Sequence, residues 1–341
     1  MKALTKTFRT IVLAVTTSAC VVGTASAADF TLRIQTHHAP GSLPGRVFTQ
    51  FVDDVETMSA GRLTINAFTS SAVVKANETF EAAKNGLLDG DMTNPTYITG
   101  KNPAFQFIGD VMGGYERPDQ IQGWLAVGGG KAIADELYSS YGMHLVGLWG
   151  QGPESLSSMR EIGTVADLHD WKFRSPPGME SEIFIKLGAK PVVMDFGEVF
   201  SAMNTGVVDG ADASTLNTNQ SLGLYDVAKY ATYPGWHSMP ADHLAINQKK
   251  WDSLPKDIQR IIEVALKKAA ADLQQNSVVE NAKTADTLRK AGITLSNWSE
   301  EDKKTFRSAA QSVWEGWAKK NDITGRLVES HISYMKKVGL L

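Results

Sequence analysis

Hydrophobic and polar positions follow two rhythms along this chain of 341 residues. In "DFTLRIQTHHAPGSLP", Leu32 and Ile34 alternate with Arg33 and Gln35, the period of two that predicts a strand. Pro40, Gly41 and Pro44 break it. In "RVFTQFVDDVETMS", Val47, Phe48, Phe51, Val52 and Val55 fall on one stripe of a helix, and Gly61 marks its stop. "RLTINAF" predicts a second strand, 78–85 a helix, and "LLD" a short third strand. Strands alternating with helices predict a mostly parallel sheet with crossover helices.

The second half repeats the order. "WKFRSPP" (171–177) predicts a strand, "GMESEIFIKLG" (178–188) a helix closed by Gly188, and "KPVVMDF" a strand. "GEVFSAMNTG" then predicts a helix with Val199 and Met203 on one face, and "VVDG" the next strand. At an offset of 120 residues six identities line up: Glu78 with Glu198, Phe80 with Phe200, Ala82 with Ala202, Gly86 with Gly206, Asp89 with Asp209 and Gly90 with Gly210. The chain therefore reads as two similar α/β units. Gly86 and Gly206 are expected to cap helices, and Ala82 and Ala202 to let helix approach sheet. Each Asp-Gly is expected to end a strand at the carboxyl edge of the sheet, where ligands bind in open α/β folds. The first strands of the halves also share an arginine, Arg33 and Arg174.

A helical pattern runs from Pro255 to Ala291, roughly 50 Å at 1.5 Å per residue, longer than one lobe and suited to a strut under both. "ITL" predicts a short strand. Ser299 is placed to cap a helix carrying Phe306, Val313, Trp314 and Trp317, and a last helix starts near Asp322. The predicted class is α/β, two lobes each with a mostly parallel sheet flanked by helices, and a long helix spanning both. The expected division is a signal at 1–27, a first lobe of 28–150 plus about 240–275, and a second of 151–239 plus about 276–341 with the C-terminal helices.

The signal reading rests on Lys2, Lys6 and Arg9, the apolar run Ile11 to Val15, and Ala25-Ser26-Ala27, a small-x-small pattern for cleavage after Ala27 or Ala28. The apolar run is far short of a span. Cys20, the one cysteine, lies inside this segment, with a lipid-anchored start as the competing reading. Without it the exported chain has no disulfide and needs a core large enough to do without. The net charge is −3, and losing three basic residues makes it three units more negative. An acidic exported chain with no basic stripe is a poor partner for nucleic acid.

The sequence carries no His-Glu-x-x-His, Gly-x-Ser-x-Gly, phosphate loop or Gly-x-Gly-x-x-Gly. A secreted enzyme using Glu154 and Asp212 as an acid–base pair lacks a nucleophile or metal box to support it. His37 and His38 end the first strand, where adjacent side chains point apart. His237, Asp242 and His243 in "WHSMPADH" match no metal-binding spacing. Arg174 is the most informative residue. It sits late in an apolar-flanked strand, where a charge needs a partner. Two readings stand: an ion pair with Asp195 or Asp212, or a clamp that grips a carboxylate with two parallel hydrogen bonds. Tyr97, Phe105, Phe107, Tyr115, Trp124, Trp149 and Trp236 lie in predicted loops or strand ends. If several reach a cleft, an aromatic acid fits.

"DLHDWKFRSPPGMESEIFIKLGAKPVVMDFGEVFSAMNTGVVDG" resembles the signature of the DctP-type solute-binding proteins of TRAP (tripartite ATP-independent periplasmic) transporters. The arginine-bearing strand, the "LGAKP" turn and the "EVFSAMNTGVVDG" run carry the likeness. The export signal, the strut helix and "KKWDSLPKDIQRII" agree with it over the mature chain. "YATYPGWHSMPADHLAIN" is most similar to the branch that binds 2-oxo acids and related monocarboxylates. The resemblance implies a periplasmic-binding-protein fold, no enzymatic activity and no required cofactor. It implies capture of an organic acid between two lobes by an arginine–carboxylate clamp and hinge closure, and delivery to membrane permease subunits. By the same resemblance Arg174 is the clamp, and Asp212, Ser214, Thr215 and Asn217 follow in the loop after the Asp-Gly. Trp236 and His237 wall the pocket, with His38, Asn94 and Tyr97 from the first lobe.

Two residues depart from the pattern. Glu154 stands where much of the family has arginine or glutamine, and Asp212-Ala213 where the 2-oxo acid branch has Glu-Trp. Three readings of Glu154 and Asp212 stay open: a cation site (calcium or sodium) that helps dock the acid, an amine site for a zwitterionic ligand, or partners of Arg174. A sulfonate receptor, or a sensing subunit for a membrane kinase, is the alternative function. The sequence is consistent with a monomer or a homodimer.

Overall fold

The computed structural model describes residues 28–341, so the segment expected to be a signal, with Cys20, lies outside the described residues. The first lobe runs β1 (Phe30–Thr36), α1 (Leu43–Met58), β2 (Leu63–Phe68), α2 (Thr79–Lys84), β3 (Gly90–Met92), α3 (Gln106–Gly109), α4 (Pro118–Val127), α5 (Gly130–Ser139) and β4 (Met143–Gly150). Local chemistry sets the ends. Ser42 caps α1 by accepting from the Gly45 amide at 3.2 Å, and Pro44 fills the first turn, where its missing N–H costs nothing. The apolar stripe of α1 is buried as its spacing predicts.

The second lobe runs β5 (Ser155–Ser158), β6 (Lys172–Ser175), α6 (Met179–Lys186), β7 (Lys190–Val193), α7 (Val199–Asn204), β8 (Gly210–Ser214), α8 (Leu216–Ser221), α9 (Leu224–Val227) and β9 (Tyr230–Thr232). The chain then returns to the first sheet as β10 (Ala241–Asn247). It continues through α10 (Gln248–Ser253) and α11 (Lys256–Lys290), rejoins the second sheet as β11 (Thr294–Ser296), and ends in α12 (Glu300–Ala318) and α13 (Asp322–Lys337). The sheets are ordered β2-β1-β3-β10-β4 and β11-β9-β5-β8-β6-β7, mixed rather than wholly parallel. No described helix is long and apolar enough to cross a membrane.

The strut is one 35-residue helix, about 52 Å long at 1.5 Å per residue. Ile258, Ile262, Leu266 and Leu273 of α11 join the core under the first sheet, while Ala285 and Leu288 join that of the second lobe. Residues 276–341 do not stay together in the second lobe. α12 packs on α6, but α13 crosses back to α3 and α5 of the first lobe, where His331 stacks on Trp124 at 3.7 Å. An amphipathic helix with an apolar face on Leu327, Val328 and Met335 can dock on either lobe, and its periodicity does not say which.

Two expectations from the repeated phrase are corrected. The strands do not lie at "LLD" and "VVDG"; they begin at Gly90 and Gly210. Asp89 and Asp209 therefore precede their strands, at the edge away from the carboxyl ends. Arg33 belongs there too, half-exposed and bonded through Nε to Asp89 at 2.9 Å, so it is no counterpart of buried Arg174. The glycine caps are as expected, with φ +83° at Gly86 and +70° at Gly206.

Candidate ligand-binding site

The carboxyl ends of the central strands from both lobes face one cavity. Arg174 comes from the end of β6, and Asp212 with Ala213 from β8. Glu180 comes from the first turn of α6, and Glu154 from the crossing segment before β5. The first lobe supplies His37 after β1, Asn94, Thr96 and Tyr97 after β3, and Gln106 and Asp110 around α3. The free space is small, ≈ 30 Å³.

Arg174 is 1% exposed and makes no salt bridge among the described residues. Its Nη1 donates to the main-chain oxygen of Asp212 at 2.6 Å and its Nε to that of Met194 at 3.3 Å. Its Nη2 is buried with no partner. Neither carboxylate considered from sequence pairs with it: Asp195 caps a turn by accepting from the Gly197 amide, and Asp212 turns to His237. The Phe196 ring packs against the guanidinium, 5.9 Å from its centroid, and against the His37 ring of the first lobe at 5.0 Å.

The carboxyl groups divide into two states. Burial, with the charge of Asp212 beside them, pushes Glu154 and Glu180 well above the usual carboxylate range. Burial opposes ionisation of Asp212 as well. The charge and hydrogen bond of His237, the hydrogen bond with Glu180 and the nearness of Arg174 outweigh it and hold Asp212 low. Burial pushes Asp110 up to about 7, and Ser238 Oγ donates to it at 2.8 Å. Burial takes His37 down to about 3, so a neutral imidazole faces the cavity. Arg174 and ionised Asp212 thus stand beside two carboxyls, Glu154 and Glu180, that burial keeps protonated, and the Arg174 Nη2 has a hydrogen bond left to give.

Of the residues singled out from sequence, Arg174, Glu154, Asp212, Asn94, Tyr97 and His37 line the cavity. The others stand behind it or elsewhere. His38 bonds Asp242 at 2.8 Å and Gln151 at 3.1 Å, and Ser214 donates to Gln151 at 3.3 Å, so both orient the wall from behind. His237 does the same for Asp212 at 3.0 Å. Asn217 faces the strut, donating to Glu280 at 3.3 Å. Trp236 packs on Trp298 and Phe306, at 4.9 and 5.0 Å, as core. His37 and His38 do not point apart. The strand ends at Thr36, and the bend that follows brings the rings to 4.0 Å. His243 belongs to a separate buried set with Asp91 and Tyr138. Among the aromatics only Tyr97 reaches the cavity; Phe105, Phe107, Tyr115, Trp124 and Trp149 are core.

Sequence reasoning missed Glu180, Asp110 and Gln106. A signal was present. Glu180 shares a helix face with Ile183 and Phe184, and Gln106 and Asp110 stand four apart in the apolar run "FQFIGDVMG". Polar groups on an otherwise buried face are what a site requires. Gln106 also crosses the cleft: its Oε1 accepts from the Met179 amide of the second lobe at 2.8 Å.

Two clusters have metal-ligand geometry, His37 with His38 and Asp242, and Glu154 with Asp212 and His237, each with ligand atoms within 4.8 Å of one another. In the second, Asp212 Oδ1 is buried and unpartnered. The two carboxylates of this cluster are hard oxygen donors of the kind calcium takes, while His237 Nε2 is engaged with Asp212 Oδ2 at 3.0 Å.

Residues 34–321 match the DctP family, bacterial extracellular solute-binding protein family 7. The monocarboxylate 2-oxoacid-binding periplasmic protein of Nostoc sp. is 26% identical over 286 residues, 83% of this chain and 78% of its own. A TRAP periplasmic solute-binding protein from Rhodobacter sphaeroides, in an apo open structure, is 30% identical with a TM-score of 0.73, covering 91% of this chain and 99% of that one. One from Colwellia psychrerythraea, with bound calcium and pyruvate, is 26% identical with a TM-score of 0.80, covering 91% and 95%. The family match over residues 34–321, the paired lobes and the cleft agree on one assignment: the chain belongs to the DctP family of extracellular solute-binding proteins, receptors rather than enzymes.

Proposed function

We propose that this chain is the periplasmic receptor of a TRAP transporter for a small monocarboxylate of the 2-oxo or 2-hydroxy acid class. The observation that carries the reading is the buried, unpartnered Nη2 of Arg174, facing a cavity walled by both lobes. A ligand carboxylate there completes the guanidinium's hydrogen bonds and neutralises its charge. Among the lining residues only Tyr97 and His37 carry aromatic rings, and the rest are mostly polar, which favours a small polar acid over an aromatic one. The 2-oxoacid-binding and pyruvate-bound relatives support the same class.

Glu154 and Asp212 would hold a calcium ion, which supplies positive charge for the carboxylate and 2-oxo oxygens of the ligand. The ligand touches both lobes and so favours the closed arrangement, the form a permease recognises.

Calorimetry on the purified chain with pyruvate, lactate, malonate, benzoate and taurine, each with calcium and with a chelator, tests this. Binding of a short 2-oxo or 2-hydroxy acid that disappears in Arg174→Ala is the expected result. Full affinity in Arg174→Ala overturns the clamp. Affinity indifferent to the chelator removes the calcium part alone.

A further inference from the structure

The fully buried histidines fall into two groups. His243 uses both ring nitrogens, on Tyr138 and Asp91, and His331 uses both, on Tyr115 and the Phe107 carbonyl. A ring bonded at both nitrogens is complete as a structural part. His37, His38 and His237 each leave Nδ1 buried without a partner. Buried polar groups are nearly always paired, so each such atom calls for a reason. His237 stands in the cluster with Glu154 and Asp212 described above. His37 and His38 stand with Asp242.

The bend after β1 and the start of antiparallel β10 bring these three residues together at one end of the first sheet. Their ligand atoms lie within 4.8 Å of one another, and all three residues are buried. Asp242 is 0% exposed, and its Oδ1 has no partner. Among the described residues no lysine or arginine pairs with it. Its Oδ2 meets His38 Nε2 at 2.8 Å, an ion pair only when the imidazole is protonated. A buried carboxylate is ordinarily paired with a cation or bound to a metal. In a tetrahedral shell with bonds of about 2.0–2.1 Å, donor atoms stand about 3.4 Å apart. An ion that replaces the proton between His38 and Asp242 opens that pair slightly and draws the wider members in. Gln151 Nε2, 3.1 Å from the same His38 nitrogen, has to turn aside.

We propose that His37, His38 and Asp242 form a site for a divalent transition ion of the zinc class, held by the first lobe on one wall of the cleft. Two imidazoles and one carboxylate select such an ion, whereas calcium and magnesium take oxygen ligands. Three protein ligands leave a fourth position open. His37 lines the cavity, so water or an oxygen of a molecule in the cleft fills that position. Phe196 of the second lobe meets both rings edge-on, 5.0 Å from His37 and 6.3 Å from His38, so the second lobe touches the site while the first holds it. All three ligands come from one lobe. The site therefore requires neither a bound acid nor calcium at Glu154 and Asp212, and does not depend on that reading.

The test titrates zinc chloride by calorimetry into the chain from Ala28 onward, stripped with chelator and free of organic acid. One equivalent bound at micromolar Kd or tighter is the expected result. His38→Gln and Asp242→Asn should each weaken it by about tenfold or more, since losing even an outer-shell partner costs that much. Both substitutions are buried, so each variant is first checked for a cooperative melt. If neither folds, the wild type decides: crystals grown with zinc should show an anomalous peak at the zinc edge among His37, His38 and Asp242. No zinc bound to the wild type, or no peak there, overturns the proposal. Zinc that survives both substitutions also overturns it, as metal on an exposed pair such as His169 and Asp170. Zinc lost in His237→Gln but kept in His38→Gln overturns it too, placing the ion with Glu154 and Asp212.

Discussion

Arg174 is the residue on which the proposed site turns. Two main-chain carbonyls fix its fork, and no protein carboxylate reaches it. Removing one partner of a buried charge pair costs roughly 2–5 kcal/mol. Arg174→Ala is therefore expected to weaken the acid at least thirtyfold, while the apo melting temperature stays near that of the wild type. Arg174→Lys keeps the charge but not the planar fork, and is expected to recover little of the loss. Glu154→Gln separates the two roles of the acidic wall. It should abolish any calcium enhancement of binding and leave calcium-free affinity in place; calorimetry in both conditions reads the difference. Of the site's residues, Arg174 was legible in sequence because a charge in an apolar strand has few explanations. His237, Ser214 and Trp236 were legible only as residues near the cleft, since facing it or standing behind it is a matter of side-chain direction.

At the scale of elements, the repeated Asp-Gly acquires a packing explanation in place of a binding one. A methyl group on Gly210 would lie 2.5 Å from the Ser157 carbonyl oxygen and 2.6 Å from the Trp171 ring, because β8 starts directly beneath both. On Gly90 it would meet the Ile34 side chain at 3.1 Å, a neighbour that can shift. Gly210→Ala is expected to cost about 1–3 kcal/mol, as overpacking does, and Gly90→Ala less, measured as urea midpoints. The helices and the first strands were readable because each buries one face and so carries its period in the sequence. The short strands β3 and β8, of three and five residues, were not. Too short for a period, they are fixed by the neighbours they pair with, which is why their start was misplaced.

For the whole molecule, two contacts tie distant parts together. Gln106 reaches from the first lobe to the first amide of α6 in the second. Gln106→Leu removes that bond and favours opening. It should raise Kd for every ligand by a similar factor, roughly five- to tenfold for one hydrogen bond, through faster release. An effect confined to one ligand would make Gln106 a direct contact instead. His331 ties α13 to the first lobe. Its Nε2 donates to the Phe107 carbonyl at 2.7 Å, so its Nδ1 accepts from Tyr115 Oη at 2.7 Å, and the ring is neutral. Burial takes it down to about 3, below the ordinary 6.5. The unfolded chain therefore binds the proton first. Stability is full above about pH 6.5 and falls as pH drops towards 3, by up to about 1.4 kcal/mol per unit. Urea unfolding between pH 7 and 4.5 should show a shallower slope in His331→Gln.

The sequence alone determined the α/β class, the doubled unit, the long strut and the buried arginine that lines the cavity. Periodicity, capping residues and an ill-placed charge are local, and local features survive in a string of letters. Tertiary structure decided the rest. It took α13 to the first lobe, turned both histidines of the bend after β1 inward, and left β4 at the outer edge of the first sheet. It also set Glu180 and Asp110 around Arg174. Each of these depends on which surfaces meet across long separations in the chain, and burial, desolvation and hydrogen-bond closure act only once they have met.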